Sequence, residues 1–279
     1  SPLFISSAFW AMLKWEEQAD SRTADKWIVL VAYLMGLSIG VHLLSLLSIP
    51  AIVMTYYFRR YNYSRKGAIL AFLLACVLTG VVQILIIQDT VKLIGWFELL
   101  FVNGLGLPFN SGMFFCLALF VLIIVLGLRW ATRKKYHLVE LGILCFTFIM
   151  IGYSTYGVIM IRANADPAVN MQNVTDPMEL VSYLDRSQYG EWPILKGADF
   201  TAQPTGTKDE GNIYEKNVRT GKYKVVGKKI GYQYDPADIH YFPRIWDTDN
   251  SQGHVDFYKE WLGRDGTESP STQDNIKWL

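Results

Sequence analysis

The sequence predicts a mostly α-helical membrane protein in two parts: a polytopic transmembrane helical bundle over residues 1–161, and a mixed α+β extracytoplasmic segment over residues 162–279. Apolar residues are concentrated in the first part as unbroken runs, without the spacing of an amphipathic helix. The charge divides at the same place, because the first part has 12 Lys and Arg against 7 Asp and Glu, and the second has 14 against 18. This division excludes a single water-soluble globule, a disordered chain and a basic nucleic-acid-binding protein.

The first part contains enough apolar sequence for several membrane spans, each of which needs about 20 residues. Four segments qualify: Trp27–Phe58, Gly67–Gln88, Met113–Trp130 and Leu138–Ile161. The first of them is longer than one crossing requires. It is either one tilted helix kinked at Pro50 or two short helices that meet at a break near His42. We interpret Pro2–Trp15 as the end of an earlier span.

The distribution of Lys and Arg predicts the orientation, since these residues are enriched on the cytoplasmic side of membrane proteins. Residues 59–66 and 129–135 each carry four of them, whereas residues 89–112 carry only Lys92. The alternation places residues 89–112 and 162–279 outside, in the periplasm or an organelle lumen. Lys14, Arg22 and Lys26 do not fit the alternation, because they precede a span that should start outside.

The predicted outer loop, residues 89–112, is too apolar for an ordinary loop and too interrupted by Gly and Pro for a span. Its four Trp and Phe residues favour an interfacial helix followed by a turn at headgroup depth. One interpretation is an aromatic anchor in the interface. The other is the wall of a lipid-substrate cleft, in which Glu98 and Asn103 supply the polar groups.

The extracytoplasmic segment contains three predicted elements. Asp176, Pro177 and Glu179 form a helix start with a capping residue, a proline at the first position and a capping box, and this helix should end near Gln188. Two β-rich stretches, residues 214–218 and 223–226, predict a hairpin or a longer β loop. A last amphipathic helix is predicted over residues 254–262.

His42 is the outstanding ionisable residue inside a predicted span, and such a residue is a functional candidate by default. It follows Gly36 and Gly40, whose small size permits close approach of a helix or a ligand. Its imidazole either bonds structurally to Ser38, Ser45 or a backbone carbonyl, or donates to a lipid phosphate or sugar hydroxyl.

Arg162 marks the outer end of the last span, and Asn164 and Asp166 follow it before Pro167. An arginine at this depth either extends to lipid headgroups or, with the polar residues beside it, binds a phosphate or sugar. The sequence has no Walker A motif, no HExxH and no GxSxG, and its three cysteines lie apart in apolar runs. No metal site is predicted within residues 1–279.

Three stretches together resemble a known family: residues 36–50, residues 95–103, and residues 162–167 with Asp176-Pro177 and Tyr189-Gly190. The chain is similar to bacterial polytopic membrane proteins of unknown function that are related to a eukaryotic transmembrane O-mannosyltransferase, among the GT-C glycosyltransferases. The resemblance implies a GT-C-like bundle in the bacterial inner membrane with residues 162–279 in the periplasm.

The resemblance also implies an activity, the transfer of a sugar from a polyprenyl-phosphate-linked donor to a protein or glycan acceptor on the outer face. The acidic catalytic residue of such enzymes, and any divalent metal, belong to a first outer loop that should precede Ser1, so we expect the chain to be a fragment. Donor or substrate contacts are expected from His42, Arg162, Asn164 and Asp166, with Glu98 and Asn103 as further candidates. The alternative function is a non-catalytic membrane scaffold in envelope assembly or secretion.

Overall fold

The computed structural model describes residues 2–21, 23–184, 195–199, 202–243, 253, 256–257, 260–261, 263 and 271–278. The chain divides into two compact units. The first comprises Ser1–Asp185 with Lys216–Tyr223, and the second comprises Arg186–Glu215 with Lys224–Leu279.

The first unit is mostly helical and also includes residues 216–223 of the hairpin. Its helices are α1 (Pro2–Glu17), α2 (Asp25–Ile39), α3 (Ile49–Arg60), α4 (Arg65–Gly104), α5 (Ser111–Lys134), α6 (His137–Ala163) and α7 (Pro177–Leu184). Within the described part of the chain, α4, α5 and α6 are long and apolar enough to cross a membrane. The protein is therefore a membrane protein.

The long first apolar segment forms two short helices, which is the second of the two predicted alternatives. Helix α2 ends at Ile39, a 3-10 helix covers Leu43–Ser48, and Pro50 lies in the first turn of α3, where a proline is tolerated without a kink. With 15 and 12 residues, α2 and α3 are each about 18–23 Å long, which is less than the roughly 30 Å hydrocarbon core of a bilayer.

Helices α2 and α3 run in opposite directions, because the start of α2 and the end of α3 lie at the same end of the helical region. Arg59 Nη2 is 2.6 Å from Asp20 Oδ2, and His137 Nε2 is 2.8 Å from Asp25 Oδ2. At the other end, the Tyr156 hydroxyl donates to the Ile39 carbonyl at 3.1 Å. Lys14 and Lys26 consequently lie at the same end as the two Arg- and Lys-rich connections, which removes their disagreement with the charge pattern.

Helices α2 and α6 approach until their backbones touch. A Cβ atom added to Gly36 would collide with the Ile149 carbonyl, and one added to Gly152 would lie 2.5 Å from the Leu37 nitrogen. Small residues are what permit such contact between membrane helices. Gly36, the first of the two glycines that precede His42, therefore serves helix packing.

Helix α4 is longer than the predicted span, because it continues through the predicted interfacial loop. Its 40 residues correspond to about 60 Å, twice the thickness of the hydrocarbon core. Two segments of wider turns interrupt its α-helical geometry, Val82–Asp89 and Leu100–Gly104. Such turns are frequent at functional sites.

The predicted helix start at Asp176 is confirmed. Asp176 Oδ1 accepts hydrogen bonds from the backbone of Met178 at 2.7 Å and Glu179 at 3.0 Å, and Glu179 Oε2 accepts from the Thr175 backbone at 2.6 Å. Two unpaired N–H groups of the first turn are thus satisfied. The end predicted near Gln188 lies outside the described residues.

The predicted hairpin is present and longer than expected. Strands β2 (Pro204–Asn217) and β3 (Lys222–Tyr234) pair with each other, with the turn at residues 218–221.

In the second unit, β1 (Lys196–Ala198) pairs antiparallel with β4 (Ile239–Tyr241), and Gly197 lies opposite His240. Helix α8 (Thr272–Trp278) packs beside β4, where Asn275 Nδ2 donates to the Tyr241 carbonyl at 3.1 Å. The helix predicted over residues 254–262 lies largely outside the described residues.

Candidate functional site

Glu98 and Asn103, both candidates from the sequence, belong to one polar cluster with the hairpin tip. We call Glu98, Asn103, Asn110 and Tyr223 the hairpin-tip cluster. All four residues lie within the first unit, where the end of α4 meets the start of α5 and the turn between β2 and β3.

Glu98 is fully buried, and both of its carboxylate oxygens accept hydrogen bonds. Oε1 accepts from the Asn110 backbone at 2.5 Å and from the Tyr223 hydroxyl at 3.3 Å, and Oε2 accepts from the Met113 backbone at 3.1 Å. Asn110 directly precedes α5 and has a left-handed conformation with φ 71°. Because the Asn110 and Met113 N–H groups lie at the start of α5, Glu98 caps the N-terminus of α5 from a neighbouring helix. A carboxylate is favoured there by the helix dipole.

Gly112 brings α5 close enough for this capping. A Cβ atom on Gly112 would collide with the Phe97 carbonyl and with the backbone of Glu98. The first turn of α5 therefore rests directly on the backbone of α4. A larger residue at this position would separate the Glu98 carboxylate from the N–H groups it caps.

Asn103 pairs with the backbone of the hairpin tip. Its Nδ2 donates to the Tyr223 carbonyl at 2.9 Å, and its Oδ1 accepts from the Tyr223 N–H at 2.8 Å. Phe109 adds an edge-on contact with the Tyr223 ring, and the Lys216 ammonium lies 4.7 Å from the centroid of the Phe109 ring.

Burial shifts the pKa of Tyr223 in this cluster and that of the nearby Asp176. Burial raises the pKa of the Tyr223 hydroxyl, and the nearby carboxylates of Asp176 and Glu98 raise it further. Burial likewise raises the pKa of Asp176, against its two capping hydrogen bonds, which lower it. The hairpin-tip cluster therefore holds a neutral phenol that donates to a carboxylate.

His42 lies at the break between α2 and α3, apart from the hairpin-tip cluster. Its Nδ1 accepts from the Leu44 backbone at 3.0 Å, so the ring caps the 3-10 helix. The Ser38 and Ser45 hydroxyls instead bond to each other at 2.6 Å, and Ser45 donates to the His42 carbonyl at 3.0 Å. The imidazole therefore makes its structural bond to the Leu44 backbone, not to either serine. The ring is exposed, and because Nδ1 uses its lone pair, Nε2 is the nitrogen that can donate to a ligand.

Arg162, Asn164 and Asp166 lie at the end of α6, in line with their order in the sequence. Arg162 and Asp166 are exposed, and Asp166 adopts a left-handed conformation with φ 48°. Asn164 Nδ2 donates to the Met160 and Thr175 carbonyls, both at 2.8 Å, and so ties the end of α6 to the segment before α7.

The structure thus separates the six candidates into three places: His42 at the helix break, Glu98 with Asn103 in the hairpin-tip cluster, and the group of three at the end of α6. Sequence reasoning missed Tyr223 as a partner of Glu98. Its aromatic ring in a predicted strand gave a β signal but no indication of the helix it contacts. Among the described residues, no three His, Cys, Asp or Glu side chains are grouped so that they could hold a metal ion.

These features define a membrane protein in which two short helices, α2 and α3, are joined by a 3-10 helix and accompany three helices long and apolar enough to cross a membrane. Residues 1–65, which contain α1, α2, α3 and His42, match the family model described as the protein O-mannosyl-transferase TMEM260 N-terminal domain. Residues 190–279 match a family of unknown function (DUF8416). No curated protein and no solved structure matches the chain significantly. The first match suggests a protein O-mannosyltransferase-like glycosyltransferase.

Proposed function

We propose that this chain is part of a membrane glycosyltransferase that transfers a sugar from a polyprenyl-phosphate-linked donor to a protein or envelope acceptor on the outer face. The observation that carries the proposal is the match of residues 1–65 to the O-mannosyltransferase domain. That segment forms α2 and α3, and His42 lies at the break between them. In the reaction, an acceptor hydroxyl oxygen bonds to the anomeric carbon, polyprenyl phosphate leaves, and a base takes the hydroxyl proton.

His42 is the proposed contact to the donor. It lies at the end of the helical region opposite the Arg- and Lys-rich connections. The positive-inside rule favours the cytoplasmic side for those connections and hence the outer face for His42. Its Nε2 is free to donate to a phosphate oxygen or a sugar hydroxyl while Nδ1 keeps the cap. A hydrogen bond to a charged phosphate is strong where water is scarce.

Arg162 is proposed to offset the charge of the phosphate, because it is an exposed cation at the end of α6. Asp166 would contact the acceptor, whereas Asn164 positions the segment through its two carbonyl contacts. Glu98 and Asn103 support the site from the hairpin-tip cluster, since their polar atoms are already bonded to backbone groups and Tyr223.

The test is the binding and turnover of polyprenyl-phosphate mannose by the natural full-length protein in nanodiscs. His42→Ala should weaken binding about ten- to hundredfold, because a hydrogen bond to a charged group is lost. His42→Asn is the informative companion, since asparagine retains a capping oxygen for Leu44 and loses Nε2. Arg162→Ala should also weaken binding, whereas Arg133→Ala at the opposite end should not.

The outcomes separate the two functions. Binding that is lost in both His42 variants, with unchanged thermal stability in His42→Asn, supports the donor site. Absence of binding to any lipid-linked sugar, in a folded parent protein, contradicts the glycosyltransferase and leaves the scaffold as the working function.

A further inference from the structure

A cavity of about 560 Å³ separates α2 and α6 at the end of the bundle opposite His42. The two helices touch at Gly36 and Gly152 and leave this space between them on the side of Asp25 and His137. The Tyr33 and Phe148 rings meet edge-on, with centroids 6.2 Å apart, at the inner end of the space. The cavity is therefore a groove with an aromatic inner end and a charged mouth.

The walls of the groove are apolar along most of its length. They consist of Val29, Leu30 and Tyr33 from α2 and Leu141, Leu144 and Phe148 from α6. These positions follow the three- and four-residue spacing that places side chains on one helix face. At a rise of 1.5 Å per residue, residues 137–148 of α6 extend about 16 Å from mouth to inner end. An apolar groove on a membrane helix pair is suited to a hydrocarbon chain.

The mouth carries both signs of charge. Asp25 is paired with His137 Nε2 at 2.8 Å, and Glu140 Oε1 accepts from the Thr132 hydroxyl at 3.0 Å. The Lys26 ammonium is exposed and lies 5.5 Å from the centroid of the Trp27 ring. An anionic headgroup would face two carboxylates, and a purely cationic one would face Lys26. A headgroup with a phosphate and an ammonium complements the mouth on both counts.

We infer that this groove is a binding site for one phosphatidylethanolamine-type phospholipid. Its phosphate lies at Lys26, its ammonium at Glu140, and one acyl chain occupies the apolar groove. The Arg- and Lys-rich connection at residues 129–135 precedes this mouth directly and adds attraction for the phosphate. The bound lipid fills the space that α2 and α6 leave open and so stabilises the packing of these two helices. This site does not depend on glycosyl transfer.

The test uses the full-length protein, stripped of lipid in detergent and titrated with defined phospholipids under native mass spectrometry. The parent should retain one phosphatidylethanolamine and prefer it about tenfold over phosphatidylglycerol, as one charge-assisted hydrogen bond provides. Leu144→Trp should abolish retention by filling the groove. The matched control is Leu122→Trp on α5, where Leu122 is exposed and lies outside the groove; it should bind as the parent does.

A second variant keeps the inference testable if Leu144→Trp does not fold. Glu140→Gln removes the partner of the ammonium at a solvent-accessible mouth and should shift the preference toward phosphatidylglycerol, whereas Glu16→Gln should leave it unchanged. Equal or tighter binding of phosphatidylglycerol by the parent overturns the headgroup assignment. Unchanged lipid binding by a folded Leu144→Trp protein overturns the lipid site. So does a dimeric parent protein that becomes monomeric with this substitution, since a second copy of the chain would then occupy the groove.

Discussion

The side-chain amide of Asn103 forms two hydrogen bonds with the backbone of Tyr223, a residue 120 positions later in the chain. It accepts from the Tyr223 N–H and donates to the Tyr223 carbonyl, as a neighbouring β-strand would. The last turn of α4 thereby provides a pairing partner for the start of β3. These two bonds fix the position of the hairpin tip on α4, and the Tyr223 hydroxyl is thereby placed against Glu98.

Replacing Asn103 with Ala should therefore destabilise the protein by about 2 kcal/mol, because two hydrogen bonds are lost and the backbone groups of Tyr223 are left without partners. The free energy of unfolding, measured in detergent with the hairpin followed by limited proteolysis, checks this expectation. The control is Asn212→Ala on exposed β2, whose single side-chain contact to Tyr214 is 3.4 Å long. It should change stability by less than about 0.5 kcal/mol. Equal losses in the two variants would contradict the pairing.

The capping of α5 by Glu98 leads to a graded expectation. Glu98→Ala should cost about 2–4 kcal/mol, because the N–H groups of Asn110 and Met113 lose their acceptors in a buried place. Glu98→Gln should cost less, since one oxygen remains to accept. The measurement is the thermal midpoint of each variant beside Glu16→Ala, an exposed glutamate of α1. Similar midpoints for the Ala and Gln variants would show that the cap is not the main contribution of Glu98.

Much of the architecture follows from local sequence, and the failures occur where distant residues meet. Unbroken apolar runs are sufficient to predict the helices over residues 67–88, 113–130 and 138–161, and Asp176 with Pro177 is sufficient to predict a helix start. The sequence leaves the return of the chain after α2 open, because an apolar segment of 32 residues fits one tilted span as well as two short helices. What decides between them are contacts such as Arg59 with Asp20, which no local pattern reveals. The sequence identifies Glu98 as a polar residue in an apolar loop, but it does not reveal its partner Tyr223, which lies 125 residues later in the chain.

Two glycines of α6 provide a matched pair for testing the helix contact. A Cβ atom at Gly152 meets the α2 backbone at 2.5 Å, whereas one at Gly142 meets nothing within 4 Å. Gly152→Ala should force the helices apart and lower stability by about 1–3 kcal/mol, as overpacking does. Gly142→Ala should be neutral or stabilising by up to about 1 kcal/mol, because alanine favours a helix. Thermal unfolding of both variants tests the contact, and a neutral Gly152→Ala would refute it.

The raised pKa of Tyr223 determines how stability should respond to alkaline pH. Burial and the carboxylates of Asp176 and Glu98 hold the proton on the folded phenol, whereas an unfolded tyrosine loses it near pH 10. Below that pH both states bind the proton, so the free energy of unfolding does not change through this group. Above it the unfolded state binds fewer protons, and stability should fall by up to about 1.4 kcal/mol per pH unit.

Tyr223→Phe isolates this titration. At pH 7 the variant should be less stable by about 1 kcal/mol, because the hydroxyl no longer donates to Glu98. Between pH 10 and pH 11 the parent should lose stability faster than the variant, so the difference narrows and then reverses. Tyr232→Phe, on an exposed part of β3, should follow the parent curve and serves as the control. If the free energies of unfolding of the parent and Tyr223→Phe follow parallel curves up to pH 11, the folded phenol ionises as readily as the unfolded one. That result would exclude the buried, carboxylate-bound hydroxyl as the origin of the pH response.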